Sequence, residues 1–282
     1  MHEMTPRDGY PSDLSDDRWA LIEPVLTAWQ ARRRRGALGF GRPPEHDLRR
    51  LMDAILYVDR TGVPWRYLPR DFPRHQSVYG CFAQWQRDGV FARLTGLLRR
   101  LVREAEGRGA EPSACVLDSQ TVQTSADVHR SGQGTDAGKR IIGRKRHLGC
   151  DTLGLLLTVL VTAAGVSDTA AGATLLSRIA AAHPRVTKAW VDAGYGTSAI
   201  DHGARLGIDV QPVARPPGRC GFVIIPRRWT IERSIGWLVH HRRLVRDYET
   251  HPYRSEALIQ LAMTDLMARR LTGETTPNWR GT

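Results

Sequence analysis

The chain has 282 residues, 41 Lys and Arg against 29 Asp and Glu, a formal net charge of +12, 41% apolar and 25% charged residues. Enough apolar side chains are present to bury a sizeable core, which excludes wholesale disorder, and the basic excess favours a polyanionic partner such as nucleic acid. The longest apolar run, residues 153–166, is interrupted by Gly154, Thr158, Thr162 and Gly165 and falls short of the roughly 20 residues a membrane helix requires. With no apolar signal segment at the N-terminus, a cytoplasmic protein without a membrane partner is expected.

In chain order, residues 14–103 carry a helical pattern. Ser15 is placed to cap a helix through Trp19, Ile22 and Leu26, and residues 32–41 then form a basic, Gly-rich loop. A second helix is predicted over 45–60, with Leu48, Leu51, Met52, Ile55, Leu56 and Val58 on one face, ended by Gly62 and Pro64. A third covers 76–85, with Val78, Tyr79, Phe82 and Trp85 inward and Arg74, His75, Gln84 and Arg87 outward. Two short helices around a turn fit a helix-turn-helix, and they equally fit a plain helical bundle.

Residues 104–113 read as a linker, so the chain divides into a helical part, 1–106, and a second part, 107–282. Strands are predicted at 114–117, 146–150, 155–163, 189–191 and 208–212, with a hairpin between the second and third and a helix over 170–182, giving an α/β pattern. The cysteines Cys81, Cys115, Cys150 and Cys220 form no C-x-x-C pair and read as small apolar residues.

Asp118 and Asp192 each follow a short apolar strand, and Glu232 lies in a segment whose Trp229, Ile231, Ile235 and Leu238 have helical spacing. Carboxylate oxygens suit a hard divalent ion such as Mg²⁺, and paired ions of that kind serve in-line displacement at phosphorus. Taken singly, each Asp reads as a turn or cap residue and Glu232 as a solvated charge. The surrounding Arg227, Arg228, Arg233, His240, His241, Arg242, Arg243 and Arg246 favour phosphate as the substrate. Arg144, Lys145, Arg146 and His147 read either as phosphate contacts or as a solvated charge run. Ser119 lies in no nucleophile elbow and reads as structural, and Trp190, Trp229 and Trp237 read as core.

The ordered motifs Leu14-Ser15-Asp16-Asp17-Arg18-Trp19, Gly62-Val63-Pro64-Trp65-Arg66-Tyr67-Leu68-Pro69, Val116-Leu117-Asp118-Ser119-Gln120, Gly143-Arg144-Lys145-Arg146-His147, Val191-Asp192-Ala193-Gly194-Tyr195 and Ile231-Glu232-Arg233 run almost the whole length of the chain. With them the sequence resembles bacterial insertion-sequence transposases of the DDE type, of the insertion sequence 5 family. The resemblance implies a ribonuclease H-like α/β catalytic domain behind a helix-turn-helix-like N-terminal domain. It further implies catalytic and metal-holding roles for Asp118, Asp192 and Glu232 with Mg²⁺ or Mn²⁺.

The implied activity is cleavage at terminal inverted repeats and transfer of the freed 3′-hydroxyl to target DNA, by a homodimer or larger assembly on double-stranded DNA. DNA contacts are expected from Arg144, Lys145, Arg146, Arg228, Arg233, Arg242 and Arg243. The family's signature around the Glu is met by Arg228, but its Tyr position holds Ile225 and its Lys position Val239, with Arg242 or Arg243 as the nearest substitutes.

Overall fold

The computed structural model describes residues 9–36, 46–213 and 227–277. Part of the basic Gly-rich loop, Cys220 and Ile225 lie outside the described residues. Among these residues no helix is long and apolar enough to cross a membrane.

Four helices come first. α1 (Asp16–Gly36) starts at Ser15, whose hydroxyl accepts from the Arg18 amide at 3.2 Å, and Asp16 and Asp17 complement the positive end of the helix dipole. α2 (Leu48–Thr61) is capped by Asp47 and stopped by Gly62 at φ +77°. It starts three residues later than the apolar spacing predicts, because Asp47 supplies the cap. A 3₁₀ turn at Trp65–Tyr67 leads to α3 (His75–Arg87) and α4 (Val90–Ala105).

The sheet follows. β1 (Ala114–Gln123) runs antiparallel to β3 (Ile141–Asp151), whose other edge carries the short β2 (Gly134–Asp136) and β4 (Leu156–Ala163). α5 (Asp168–Ala182) crosses over to β5 (Lys188–Val191), which pairs parallel with β1, and α6 (Thr197–Arg205) leads to β6 (Asp209–Pro212), parallel to β5. α7 (Arg228–Leu238) and α8 (Pro252–Thr272) close the described chain.

Successive strand residues face opposite sides. Cys115, Leu117, Ala189 and Val191 thus pack with Leu175, Leu176 and Ile179 of α5. Val116, Leu148 and Cys150 face the other way, into a core shared with Ile231 and Leu238 of α7, Leu94 and Leu98 of α4, and Leu258, Ile259 and Met263 of α8. That core also takes in Ile22, Leu26, Met52, Ile55 and Phe82, so helices on both sides of residue 106 are buried together. α8, which apolar spacing does not predict, is buried around most of its circumference and therefore lacks the one-sided stripe that announces a surface helix.

The hairpin between β3 and β4 forms where expected. Asp151, fully buried, accepts from the Leu153 and Leu155 amides at 2.9 Å and pairs with Arg103 of α4 at 2.7 Å, while Gly154 turns the chain at φ +83°. β1, by contrast, continues six residues beyond its apolar stretch, since its ladder to β3 extends to Gln123 opposite Gly143. Asp118 is therefore inside β1 and not at its end.

Candidate active site

β1 and β5 set the spacing of two carboxylates. Val116 lies opposite Trp190 in their parallel register, so two residues further along each strand Asp118 and Asp192 come side by side, on the face that α7 covers. Ile231 anchors α7 into the same core as Val116, which brings the next residue, Glu232, to the side of β1 that carries Asp118.

Arg228, one helical turn before Glu232, joins them. Its Nη2 is 3.7 Å from Glu232 Oε1 and 3.9 Å from Asp118 Oδ2. Asp118 Oδ1 accepts from the Ser119 amide at 2.7 Å, and Asp192 Oδ1 from the Gly194 amide at 2.8 Å. Burial pushes the Asp118 carboxyl up to about 6; the Ser119 amide and the Arg228 guanidinium oppose this, while the charges of Asp192 and Glu232 add to it. Tyr195 is buried on the opposite face with its hydroxyl unpartnered among the described residues, and its phenol is held well above the usual range by burial and then by Asp118, Asp168 and Asp192.

Asp118 and Glu232 share one guanidinium, and with the charge of Asp192 near Asp118 they leave an excess of negative charge in a partly desolvated place. That donor set fits a hard divalent cation. Among the described residues no group of three acidic, His or Cys side chains stands at ligating geometry, and Arg228 stands between Asp118 and Glu232.

Of the seven basic residues expected to touch DNA, four are buried and engaged inside the protein. Arg144 is 0% exposed, pairs with Asp247 at 3.1 Å and donates to the carbonyls of Gly132, Glu249 and Thr250. Arg146 donates to the Leu244 and Arg246 carbonyls, Lys145 is held by Asp168 and the Val166 carbonyl, and Arg243 pairs with Glu249 at 2.7 Å. The expectation of a phosphate path through Arg144, Lys145, Arg146 and Arg243 is corrected accordingly: Arg144 and Arg146 of the inner strand β3 are taken up by the segment after α7, Lys145 by the start of α5, and Arg243 by Glu249. His147 is buried too, with its Nε2 at 3.0 Å from Thr162 Oγ1.

Arg233 is also engaged, since it donates to the Leu153 carbonyl at 2.9 Å and lies between the rings of Trp229 and Trp237, 4.8 Å from each. Arg228 stands among the carboxylates, and Arg242 is exposed on the turn after α7. Trp229, expected in the core, is 38% exposed. Sequence reasoning missed one pairing. Arg227 lies 4.4 Å over the Trp190 ring and ties the start of α7 to β5 two residues before Asp192. It does so from a backbone at φ +76°, a strained conformation of the kind that gathers at functional sites.

Residues 14–95 match a family described as a putative transposase of the IS4/5 family, and residues 109–264 match the transposase DDE domain. Over 122 residues the chain is 31% identical to the insertion element IS402 uncharacterized 16.2 kDa protein of Burkholderia cepacia, an alignment covering 43% of this chain and 79% of that protein. The chain belongs to the DDE transposase family of insertion sequences, enzymes that act on DNA.

Proposed function

We propose that residues 107–282 form a ribonuclease H-like catalytic domain that cuts DNA at the terminal inverted repeats of its element and joins the freed 3′-hydroxyl to target DNA, with residues 1–106 recognising the DNA. The observation that carries this reading is the convergence of Asp118 and Asp192, on neighbouring parallel strands, with Glu232 on the helix laid across them. The mixed sheet, antiparallel on the β3 side of β1 and parallel on the β5 side, supports the fold assignment.

Asp118, Asp192 and Glu232 would hold Mg²⁺ or Mn²⁺. Bound there, the ion supplies Lewis-acid activation and charge neutralisation at the reacting phosphate. The protein's own part is positioning: the paired strands fix the two aspartates, Ile231 and the Arg227–Trp190 contact fix α7, and Arg228 exchanges its carboxylate partners for a phosphate oxygen. Arg242, exposed beside α7, is the second phosphate contact we retain. Two element ends must meet for joining, so the working form on DNA is at least a homodimer.

Asp118→Asn and Asp192→Asn, compared with wild type on a labelled duplex in Mg²⁺, test this. Each variant is expected to bind DNA with wild-type affinity and to cleave at least about 100-fold more slowly, as loss of a metal-holding carboxylate implies. Wild-type cleavage by either variant would remove it from the site.

A further inference from the structure

A second basic surface lies away from the carboxylates, between the C-terminal half of α1 and the N-terminal half of α4. Arg32, Arg33 and Arg34 are exposed on the last turns of α1. Across from them Arg93 and Arg100, two helical turns apart on one face of α4, are exposed as well. A cavity of about 630 Å³ between the helices is bordered by Arg32, Arg93, Arg99 and Arg100 and floored by the small residues Ala28, Ala92 and Gly96. A second cavity, of about 220 Å³, shares Arg32 and Arg93 and adds Trp29, Arg33 and Asp88, so the two form one groove.

The charges in this groove are unbalanced. Asp88 is shared among the Trp29 indole at 2.7 Å, the Gln84 amide at 2.9 Å and Arg33 at 3.6 Å. Glu111, at the other end, is shared among Arg99 at 4.0 Å, Arg100 at 3.7 Å and His183 at 3.4 Å. Two carboxylates thus face five arginines, Arg32, Arg33, Arg93, Arg99 and Arg100, and among the described residues neither Arg32 nor Arg93 has a carboxylate within ion-pair distance. Burial and then the neighbouring charge of Arg32 hold the Arg93 guanidinium below its usual range, with Asp88 opposing them.

The interior of the same protein is arranged otherwise. Arg18 with Asp265, Arg103 with Asp151, Arg144 with Asp247 and Arg243 with Glu249 are each matched by a buried carboxylate. Arginines left crowded around an open groove with room above Gly96 await an anion from outside. Their planar forks suit the repeated oxygens of a phosphodiester chain, and a row set along two helices suits a linear polyanion better than a single small anion.

We propose that this α1–α4 groove is a docking surface for the phosphodiester backbone of double-stranded DNA, separate from the carboxylate site. The proposal rests on the reading of the chain as a DNA-acting enzyme. It differs from a helix-turn-helix mode in that α1 and α4, and not the outward face of α3, carry the contacts.

The test is binding of the full chain to a labelled 30-base-pair duplex of arbitrary sequence, followed by fluorescence anisotropy in EDTA across a salt series. The variant Arg32→Ser/Arg93→Ser/Arg100→Ser, all three at exposed positions, is expected to lose about 10- to 100-fold in affinity. Its plot of log affinity against log salt should become shallower by about two to three, at ~0.9 per lost phosphate contact. The corresponding triple Lys variant should recover most of the affinity, since it keeps the charge. Wild-type affinity and slope in the Ser variant would overturn the proposal, and so would failure of the Lys variant to rescue. A Ser variant that changes oligomeric state by light scattering while binding DNA normally would make the groove an interface between copies and also overturn it. Cleavage in Mg²⁺ of a second duplex, one that carries candidate element ends, reads the carboxylate site independently. Groove-dependent binding without cleavage retires the catalytic reading alone, and cleavage with groove-independent binding retires the groove alone.

Discussion

Asp118 concentrates the electrostatics of the site in one side chain. Its carboxyl is pushed up to about 6, first by burial, while an unfolded Asp titrates near the ordinary value of 3.8. A carboxyl raised on folding stabilises the fold when protonated; that contribution is complete below pH ~4 and is lost as pH rises through about 6. At pH 7.5 without metal, ionised Asp118 therefore costs about 3 kcal/mol, from two pKa units at ~1.4 kcal/mol each. Asp118→Asn removes that cost but also the attraction to Arg228, so in EDTA we expect it to be more stable than wild type by about 1–3 kcal/mol at pH 7.5 and equal to it near pH 4. Thermal melting of the two proteins at both pH values checks this. A variant no more stable at pH 7.5 would show that Asp118 is already compensated.

At this scale the acidic residues were easier to read than the basic ones. Val116-Leu117-Asp118 and Trp190-Val191-Asp192 are apolar runs stopped by a carboxylate, a pattern visible without the fold. Nothing local distinguishes Arg144 from an exposed arginine, because what neutralises it, Asp247, comes from a segment far along the chain. Trp190 and Arg227 meet for a similar reason, through the parallel pairing of β5 and the placement of α7.

Among the elements, the hairpin between β3 and β4 matters for more than the sheet. Ser234 of α7 donates to the Gly154 carbonyl at 2.7 Å, and Arg233 to the Leu153 carbonyl, so this turn fixes the helix that carries Glu232. A Cβ on Gly154 would lie 2.6 Å from Ser234 Oγ and 3.2 Å from the Thr230 carbonyl, at φ +83°. Gly154→Ala is expected to lower stability by about 1–3 kcal/mol and to reduce cleavage by displacing α7. Gly80→Ala, on α3 with nothing within 4 Å of the added methyl, should be neutral or stabilising by up to ~1 kcal/mol. Urea midpoints of the two variants decide the matter, and an unchanged midpoint for Gly154→Ala would show that the turn yields freely.

Element types that rest on one-sided apolar spacing or on turn chemistry were legible: α1, α2, α3, the hairpin and β5. The extension of β1 was not, since Ser119, Gln120 and Thr121 are held by the ladder to β3 and not by burial. α8 escaped because burial on all sides erases the periodic contrast that marks a helix.

Over the whole molecule, the arginines are put to more than one use. Part of the arginine is internal, matched with Asp151, Asp247, Glu249 and Asp265, where breaking a pair costs far more than the pair contributes. Other arginines are exposed, among them those at the α1–α4 groove and Arg242 after α7. Composition alone indicates a polyanionic partner but not which arginines meet it. The shared core of α1–α4 with α8 couples the helices that border the groove to the sheet that carries the carboxylates.

The central claim is that Asp118, Asp192 and Glu232 act together in metal-dependent cutting and joining of DNA. Its most direct test is incubation of a labelled duplex carrying candidate element ends with wild type and Glu232→Gln, in Mg²⁺ and in EDTA, with nicked and joined strands separated by size. Both products are expected from wild type in Mg²⁺, and neither in EDTA or from Glu232→Gln. Cleavage that survives EDTA or the loss of the Glu232 carboxylate would contradict it.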